Sequence, residues 1–313
     1  MCEKPLVTVV TLAYNHEKYL RACLEGILMQ KTNFPFELII HEDASLDKTA
    51  EIIQEYEAKY PHILKPIYQK QNQYSQGVNI GNTFIYPKAK GKYIALCEGD
   101  DYWTDPYKLQ KQVDFLEEHP DFSMCFHNGK MVWEKGEKSD KLYAKIKEGV
   151  YKPAHLYRRH LVVTASIVAR IDVVRDTKYI ETLKTQKVMY GDLFFILSCT
   201  RLGKIWGMPD VMSVYRRHEG GVVYKQGLSD CAKEIDLAYF FLSYFEDPDL
   251  LDMIRKMCFW DSFSNYLHSS IHGYKKEQKV FKAALKSCFR WRYTYRLPLL
   301  LYKVMTHWNK FKK

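Results

Sequence analysis

The chain has 313 residues, enough for one large domain or one domain with a sizeable appendage. Hydrophobic residues make up 47%, with 24 Tyr and 16 Phe among them, which allows a substantial core and excludes a wholly disordered chain. A net charge of +10 implies an anionic partner, whether a phosphorylated substrate, lipid headgroups or nucleic acid, and does not choose among them.

The opening MCEKPLVTVV has no basic leader region, so no signal peptide is expected. No apolar run reaches the roughly 18–20 residues needed to span a bilayer. The cysteines (Cys2, Cys23, Cys97, Cys125, Cys199, Cys231, Cys258 and Cys288) are scattered, with no C-x-x-C spacing for zinc or a redox pair. Reduced, buried thiols in a cytoplasmic protein are the expectation.

Taken in chain order, the first hundred residues alternate strand and helix signals. Leu6–Leu12 is an apolar, β-branched run, as expected of a strand covered on both faces. Asn15 offers an N-cap to a helix whose stripe is Leu20, Leu24, Ile27 and Leu28. Phe36–His41 predicts a second strand, and Ser45 or Asp47 caps a helix buried through Ile52, Ile53 and Tyr56. Ile63–Tyr68 predicts a third strand, Val78–Tyr86 a helix interrupted by Gly81, and Lys92–Cys97 a fourth strand. Strands and helices at this spacing predict a parallel sheet with helices on both faces, and such sheets collect ligands at the carboxyl ends of their strands.

Beyond Pro106, which suits a first helical position, Leu109, Val113 and Leu116 mark a further helix. Phe122–Val132 and Val162–Ala169 predict strands, and Lys135–Lys147 an exposed charged hairpin or loop. A helix is expected from Gly191 to Leu202, then extended chain over Ile205–Tyr215. Helical periodicity resumes at Leu228 and continues to the end.

Five sets of residues stand at or near expected element ends. Glu98-Gly99-Asp100-Asp101 places three carboxylates in four residues after the fourth strand. They repel one another unless a cation neutralises them, and an all-oxygen set suits Mg²⁺ or Mn²⁺ beside the phosphates of a nucleotide. Gly99 would let the backbone approach a diphosphate; an acidic turn capping the next helix is the plainer alternative. After the second strand, Asp43 can accept a hydrogen bond from a base or hold a ribose, while Ser45 and Asp47 read as caps. Tyr14 can stack on a base or belong to the core. Asp192 has a routine use as a helix-start carboxylate. Arg216-Arg217-His218-Glu219-Gly220-Gly221 suits either a loop over a diphosphate or a solvated basic turn.

VTVVTLAYN, FELIIHEDASLDKT, GKYIALCEGDDYW, a later lone acid and YRRHEGG follow one another in the order found in bacterial family 2 glycosyltransferases, which the chain resembles over roughly residues 5–225. The resemblance implies a GT-A fold: an α/β nucleotide-binding domain with a mostly parallel central sheet over 1–225, with a nucleotide-sugar half to about 105 and an acceptor half after it. A helical C-terminal extension over 226–313 would follow. It also implies inverting transfer of one sugar from a nucleotide-diphosphate sugar, with UDP as the expected carrier, to a carbohydrate or lipid-linked acceptor in cell-surface polysaccharide biosynthesis. Tyr14 and Asp43 then fall at the nucleobase and Asp100 at the donor. Asp101 with Asp100 falls at a Mn²⁺ or Mg²⁺ ion, Asp192 at the catalytic base, and Arg217 and His218 at the diphosphate. The resemblance departs at Glu98, where Asp is usual, and at Gly191, where Glu often precedes the base. No good match to the Gln-x-x-Arg-Trp of processive relatives is present, so non-processive transfer is expected.

From Lys275 onward Lys and Arg alternate with Phe, Trp, Tyr and Leu. Such a segment suits the surface of an anionic membrane, a helix packed on the domain, or an RNA-binding face, and Pro298 divides it. The expectation is a cytoplasmic protein, peripheral on the inner face of the membrane, with nucleic acid the least favoured partner. Two other functions stay open: a catalytically inactive homologue that binds nucleotide sugars as a scaffold or sensor, and a nucleotidyltransferase. AYNHEKYL after the first strand, where a nucleotidyltransferase would carry a Gly-rich phosphate loop, disfavours the latter.

Overall fold

The computed structural model describes residues 4–134, 140–159, 161–186, 188, 190–221, 228–272 and 275–290. The chain divides into two compact units, Met1–Tyr224 and Lys225–Lys313.

The first unit runs β1 (Val7–Ala13), α1 (Leu20–Leu28), β2 (Phe36–Glu42), α2 (Thr49–Lys59), β3 (Leu64–Tyr68), β4 (Tyr93–Leu96), β5 (Tyr102–Trp103) and α3 (Lys108–Glu118). It continues with β6 (Phe122–Trp133), β7 (Lys141–Leu142), β8 (Gly149–Val150), α4 (Pro153–Arg159), β9 (Val168–Arg170), α5 (Asp172–Arg175), α6 (Thr177–Thr185), α7 (Gly191–Cys199) and β10 (Lys204–Arg217). The second unit holds α8 (Leu228–Tyr244), α9 (Pro248–His272) and α10 (Lys275–Cys288). No described helix is long and apolar enough to cross a membrane.

One sheet carries the order β3-β2-β1-β4-β9-β6-β10-β5, with β7 beside β6 and β8 beside β10. Its pairings are mixed: β1 lies parallel to β2 and β4, β2 to β3, and β10 to β6, while β9 runs antiparallel between β4 and β6. Because β9 reverses the direction twice over, β6 and β10 point the same way as β1–β4. The carboxyl ends of the long strands therefore share one edge of the sheet, and the order turns back between β1 and β4, where α/β sheets bind ligands.

The short apolar runs are strands because both faces are covered. β1, β2 and β4 are buried almost throughout, with Leu20, Leu24 and Ile27 of α1 and Leu109, Val113 and Leu116 of α3 in the same core. Gly26 allows α1 to lie on β5, since a Cβ there would stand 2.7 Å from the carbonyl oxygen of Trp103. Three expectations are corrected. Asn15 is no cap: it takes a left-handed φ of 55° and accepts from the Leu46 N–H, and α1 starts only at Leu20. The 78–86 segment forms a wide turn over Gly81–Ile85 and a tight one over Tyr86–Lys88 rather than an α-helix. Within Val162–Ala169 only the last two residues are strand, because Thr164–Ser166 coils into a 3-10 turn. Part of the charged hairpin, 135–139, and the tail beyond 290, including Pro298, lie outside the described residues.

Candidate active site

The shared sheet edge assembles the site. Cys97 and Gly99 donate their N–H groups to Val10 and Leu12, which carries the β4 pairing with β1 into the acidic turn. The turn closes with Asp101 N–H on the Glu98 carbonyl at 3.0 Å. Gly99 is required by close approach: a Cβ there would lie 2.7 Å from His16 Nδ1 and 3.0 Å from the Leu12 carbonyl. The glycine foreseen as room for a diphosphate thus makes room for a histidine of the β1–α1 loop.

One ligand oxygen from each of Glu98, Asp100 and Asp101 falls within 4.8 Å of the others. Burial, with the charges of Asp100 and Asp192, pushes the Glu98 carboxyl up to about 8. Burial and the charges of Asp100 and Glu98 drive Asp101 well above the usual carboxylate range. Asp101 is 1% exposed; its Oδ1 accepts from the Arg216 N–H at 2.9 Å, while its buried Oδ2 has no hydrogen-bond partner among the described residues. Three crowded carboxylates with an orphaned oxygen fit a divalent cation, whose charge would relieve their mutual repulsion.

Asp100 behaves differently. Burial raises its pKa, but the hydrogen bond from His218 and the charges of His16 and His218 outweigh this and hold it below the usual range. Its Oδ2 lies 3.1 Å from His218 Nε2 and 3.9 Å from His16 Nε2. The Arg216 guanidinium donates to the Asp100 carbonyl at 2.9 Å and sits 4.4 Å over the Tyr102 ring. The Tyr19 ring packs at a tilt against His218, centroids 4.6 Å apart, and its hydroxyl donates to Glu134 at 2.7 Å, so the end of β10 is tied to the α1 approach and to the end of β6.

Strand alternation separates the two arginines of β10. Arg216 faces Asp100. Arg217 points with Tyr215 to the other side, where its Cζ lies 5.2 Å over the Trp133 ring. Tyr143 is raised to about 12 by burial, with Tyr215, Asp192, Arg217 and Asp101 also acting on it. Asp192 itself stands exposed in the first turn of α7.

At the other end of the edge, Tyr14 is 41% exposed and follows β1 directly. Asp43 is 2% exposed, and its two oxygens accept from the Gln73 and Tyr74 N–H groups at 2.7 and 3.0 Å. It anchors the turn after β3. The sequence offers Arg216 only as part of a basic cluster and leaves a direct role for Glu98 in doubt, while His16 and Tyr19 give no signal before the strands are paired.

Residues 8–161 match the family described as Glycosyl transferase family 2. An uncharacterized protein of Mycobacterium tuberculosis is 38% identical over 216 residues, covering 69% of this chain and 60% of that protein's length. TuaG of Bacillus subtilis, a putative teichuronic acid biosynthesis glycosyltransferase, is 34% identical over 115 residues, 37% of this chain and 43% of its own. The solved structure of S. aureus TarS 1–349 in complex with UDP-GlcNAc gives a TM-score of 0.63 at 20% identity, over 90% of this chain and 80% of that one. The mannosyltransferase PcManGT of Pyrobaculum calidifontis, in complex with GDP-Man and Mn²⁺, gives 0.51 at 13% identity, over 97% and 81%. These two likenesses are of fold.

Proposed function

We propose that the chain, whose residues 8–161 match glycosyl transferase family 2, moves a single sugar from a nucleoside-diphosphate sugar to an acceptor hydroxyl, with inversion, in building a cell-surface polysaccharide. The observation that carries this reading is the carboxylate cluster of Glu98, Asp100 and Asp101 at the strand edge, with Asp101 Oδ2 buried and unpartnered.

Inversion by one displacement needs one general base and no enzyme nucleophile. We assign the base to Asp192, an exposed carboxylate whose charge reaches Glu98. There it can take the proton of the acceptor hydroxyl. Asp101, with Asp100, would hold Mg²⁺ or Mn²⁺; such an ion supplies stabilisation of the charge collecting on the departing diphosphate. Arg216 fixes Asp101 through Oδ1 and leaves Oδ2 for that role. His218 orients Asp100, and Arg217 contributes positive charge for the diphosphate beside it. Tyr14 offers an exposed ring for the base, and Asp43 holds the turn beside it.

UDP as the carrier is what the family resemblance leads us to expect, and polysaccharide assembly is supported by the name of TuaG. The acceptor is a glycan, free or lipid-linked, met at the cytoplasmic face of the membrane. A donor-hydrolysis screen tests the reading: UDP-, GDP- and dTDP-sugars with Mn²⁺ or Mg²⁺, scored by release of nucleoside diphosphate. Turnover of one donor is expected, lost on chelation, in Asp101→Ala and in Asp192→Asn. Silence with every donor, together with no metal-dependent nucleotide binding, would overturn it.

A further inference from the structure

The basic segment singled out in the sequence divides after Arg290 into a described part, chiefly α10, and a stretch outside the described residues. In α10 the apolar stripe is already occupied. Phe281 is 0% exposed, and Ala284 and Cys288 are 1% exposed. Phe289, just beyond, lies 5.9 Å from the Phe259 ring of α9, and Ser287 Oγ is 2.5 Å from the Tyr239 hydroxyl of α8. This face belongs to the second unit's own core and is not free to enter a membrane.

The opposite face carries Lys275, Lys279, Lys282 and Lys286, all exposed. Steps of four, three and four residues at about 100° each keep the four within an arc of about 60°, in a row about 16 Å long. No ion pair joins any of them to a described residue. The contrast within the unit is plain: α9 mixes Asp249, Asp252 and Asp261 with Arg255 and Lys256. After Glu277 the sequence has no acid at all, and residues 291–313 add six Lys and Arg among Trp291, Trp308, three tyrosines and the Leu297–Leu301 run.

We propose that the lysine row of α10 is a docking surface for a bilayer rich in anionic phospholipid. The row supplies a one-signed field with no apolar insertion of its own, which draws the unit to a negatively charged plane. The aromatic and leucine residues that follow are of the kind that settle at a headgroup boundary. RNA would use the same charges but leave the Leu297–Leu301 run without a role. The proposal does not depend on the sugar-transfer reading, because its test needs neither donor nor turnover.

The test is cosedimentation of the full chain with vesicles of phosphatidylcholine, alone or mixed equally with phosphatidylglycerol. Binding is expected only to the mixed vesicles, weakening steeply as added salt shortens the screening length. Replacing Lys275, Lys279, Lys282 and Lys286 together by Gln should lower the partition coefficient by more than about a hundredfold, at roughly fivefold per lysine. The matching four-Arg variant should bind like the parent, and circular dichroism should show both variants folded. Equal binding by parent and Gln variant, no binding to the mixed vesicles, or tighter capture by an RNA oligonucleotide than by vesicles would each overturn the proposal.

Discussion

Lys108 is fully buried, with Nζ 4.0 Å from the centre of the Trp103 ring and no hydrogen-bond partner. Burial drives its pKa down to about 7, against the weak pull of Cys97 and Cys125, while His127 also faces it. The folded value lies below the unfolded one, so between about pH 7 and about 10.4 the unfolded chain holds a proton that the native state lacks. Stability from this residue therefore rises with pH across that window, and below it the protein carries the full cost of a buried ammonium, on the order of 5 kcal/mol. Lys108→Met should raise Tm most at pH 6–7 and progressively less toward pH 9, a difference that thermal melts of the two proteins measure. Asp43 belongs to the same scale. A carboxylate accepts from both the Gln73 and Tyr74 N–H groups, whereas Asp43→Asn aims an amide donor at one of them. A destabilisation of about 1–3 kcal/mol is expected, with KM for the donor rising more than kcat falls, as calorimetry and steady-state kinetics would register. Sequence placed Asp43 at a strand end but could not reveal that its partners lie thirty residues on, since those hydrogen bonds exist only once β2 and β3 are paired.

Elements of the first unit were legible where periodicity was strong. β1, β2, β4, α2 and α3 lie within a residue or two of the expected spans, and α1 keeps its expected stripe though it starts later, because runs buried on both faces and one-sided stripes leave clear patterns. The misses fall where tertiary contacts decide the backbone: Asn15 is recruited by the Ser45–Leu46 turn, and Thr164–Ser166 coils because Ala165 must accept from the Trp103 indole. Two glycines at element ends make opposite predictions. In the acidic turn, Gly99→Ala would force His16 or the Leu12 backbone to move, and a fall in turnover of about 10–100-fold is expected in nucleotide-release assays. At the start of α7, a Cβ on Gly191 meets nothing within 4 Å. Gly191→Ala should leave turnover intact and stabilise by about 0.5–1 kcal/mol, visible as a higher Tm.

For the whole molecule, the carboxylate cluster links ligand to fold. A cation bound there only in the native state stabilises by mass action, about 2.7 kcal/mol at a hundredfold excess over Kd. Mn²⁺ should therefore raise the Tm of the wild type even without donor, EDTA should reverse the shift, and Asp101→Asn should abolish it. An unchanged melting curve would remove the metal from the account. Local periodicity and adjacent residues are enough for the α/β class, the order of the strands along the chain, the acidic turn and the helical second unit. Long-range packing sets β9 antiparallel between β4 and β6, so that β6 and β10 end at the same edge as β1 and β4. It also decided that Arg216 rather than Arg217 meets the aspartates, and that α10 turns its lysines outward. The reason is common to all three: they depend on which segments pack together across long stretches of chain, and on which way a side chain alternates once its strand is fixed, and neither is encoded in neighbouring residues.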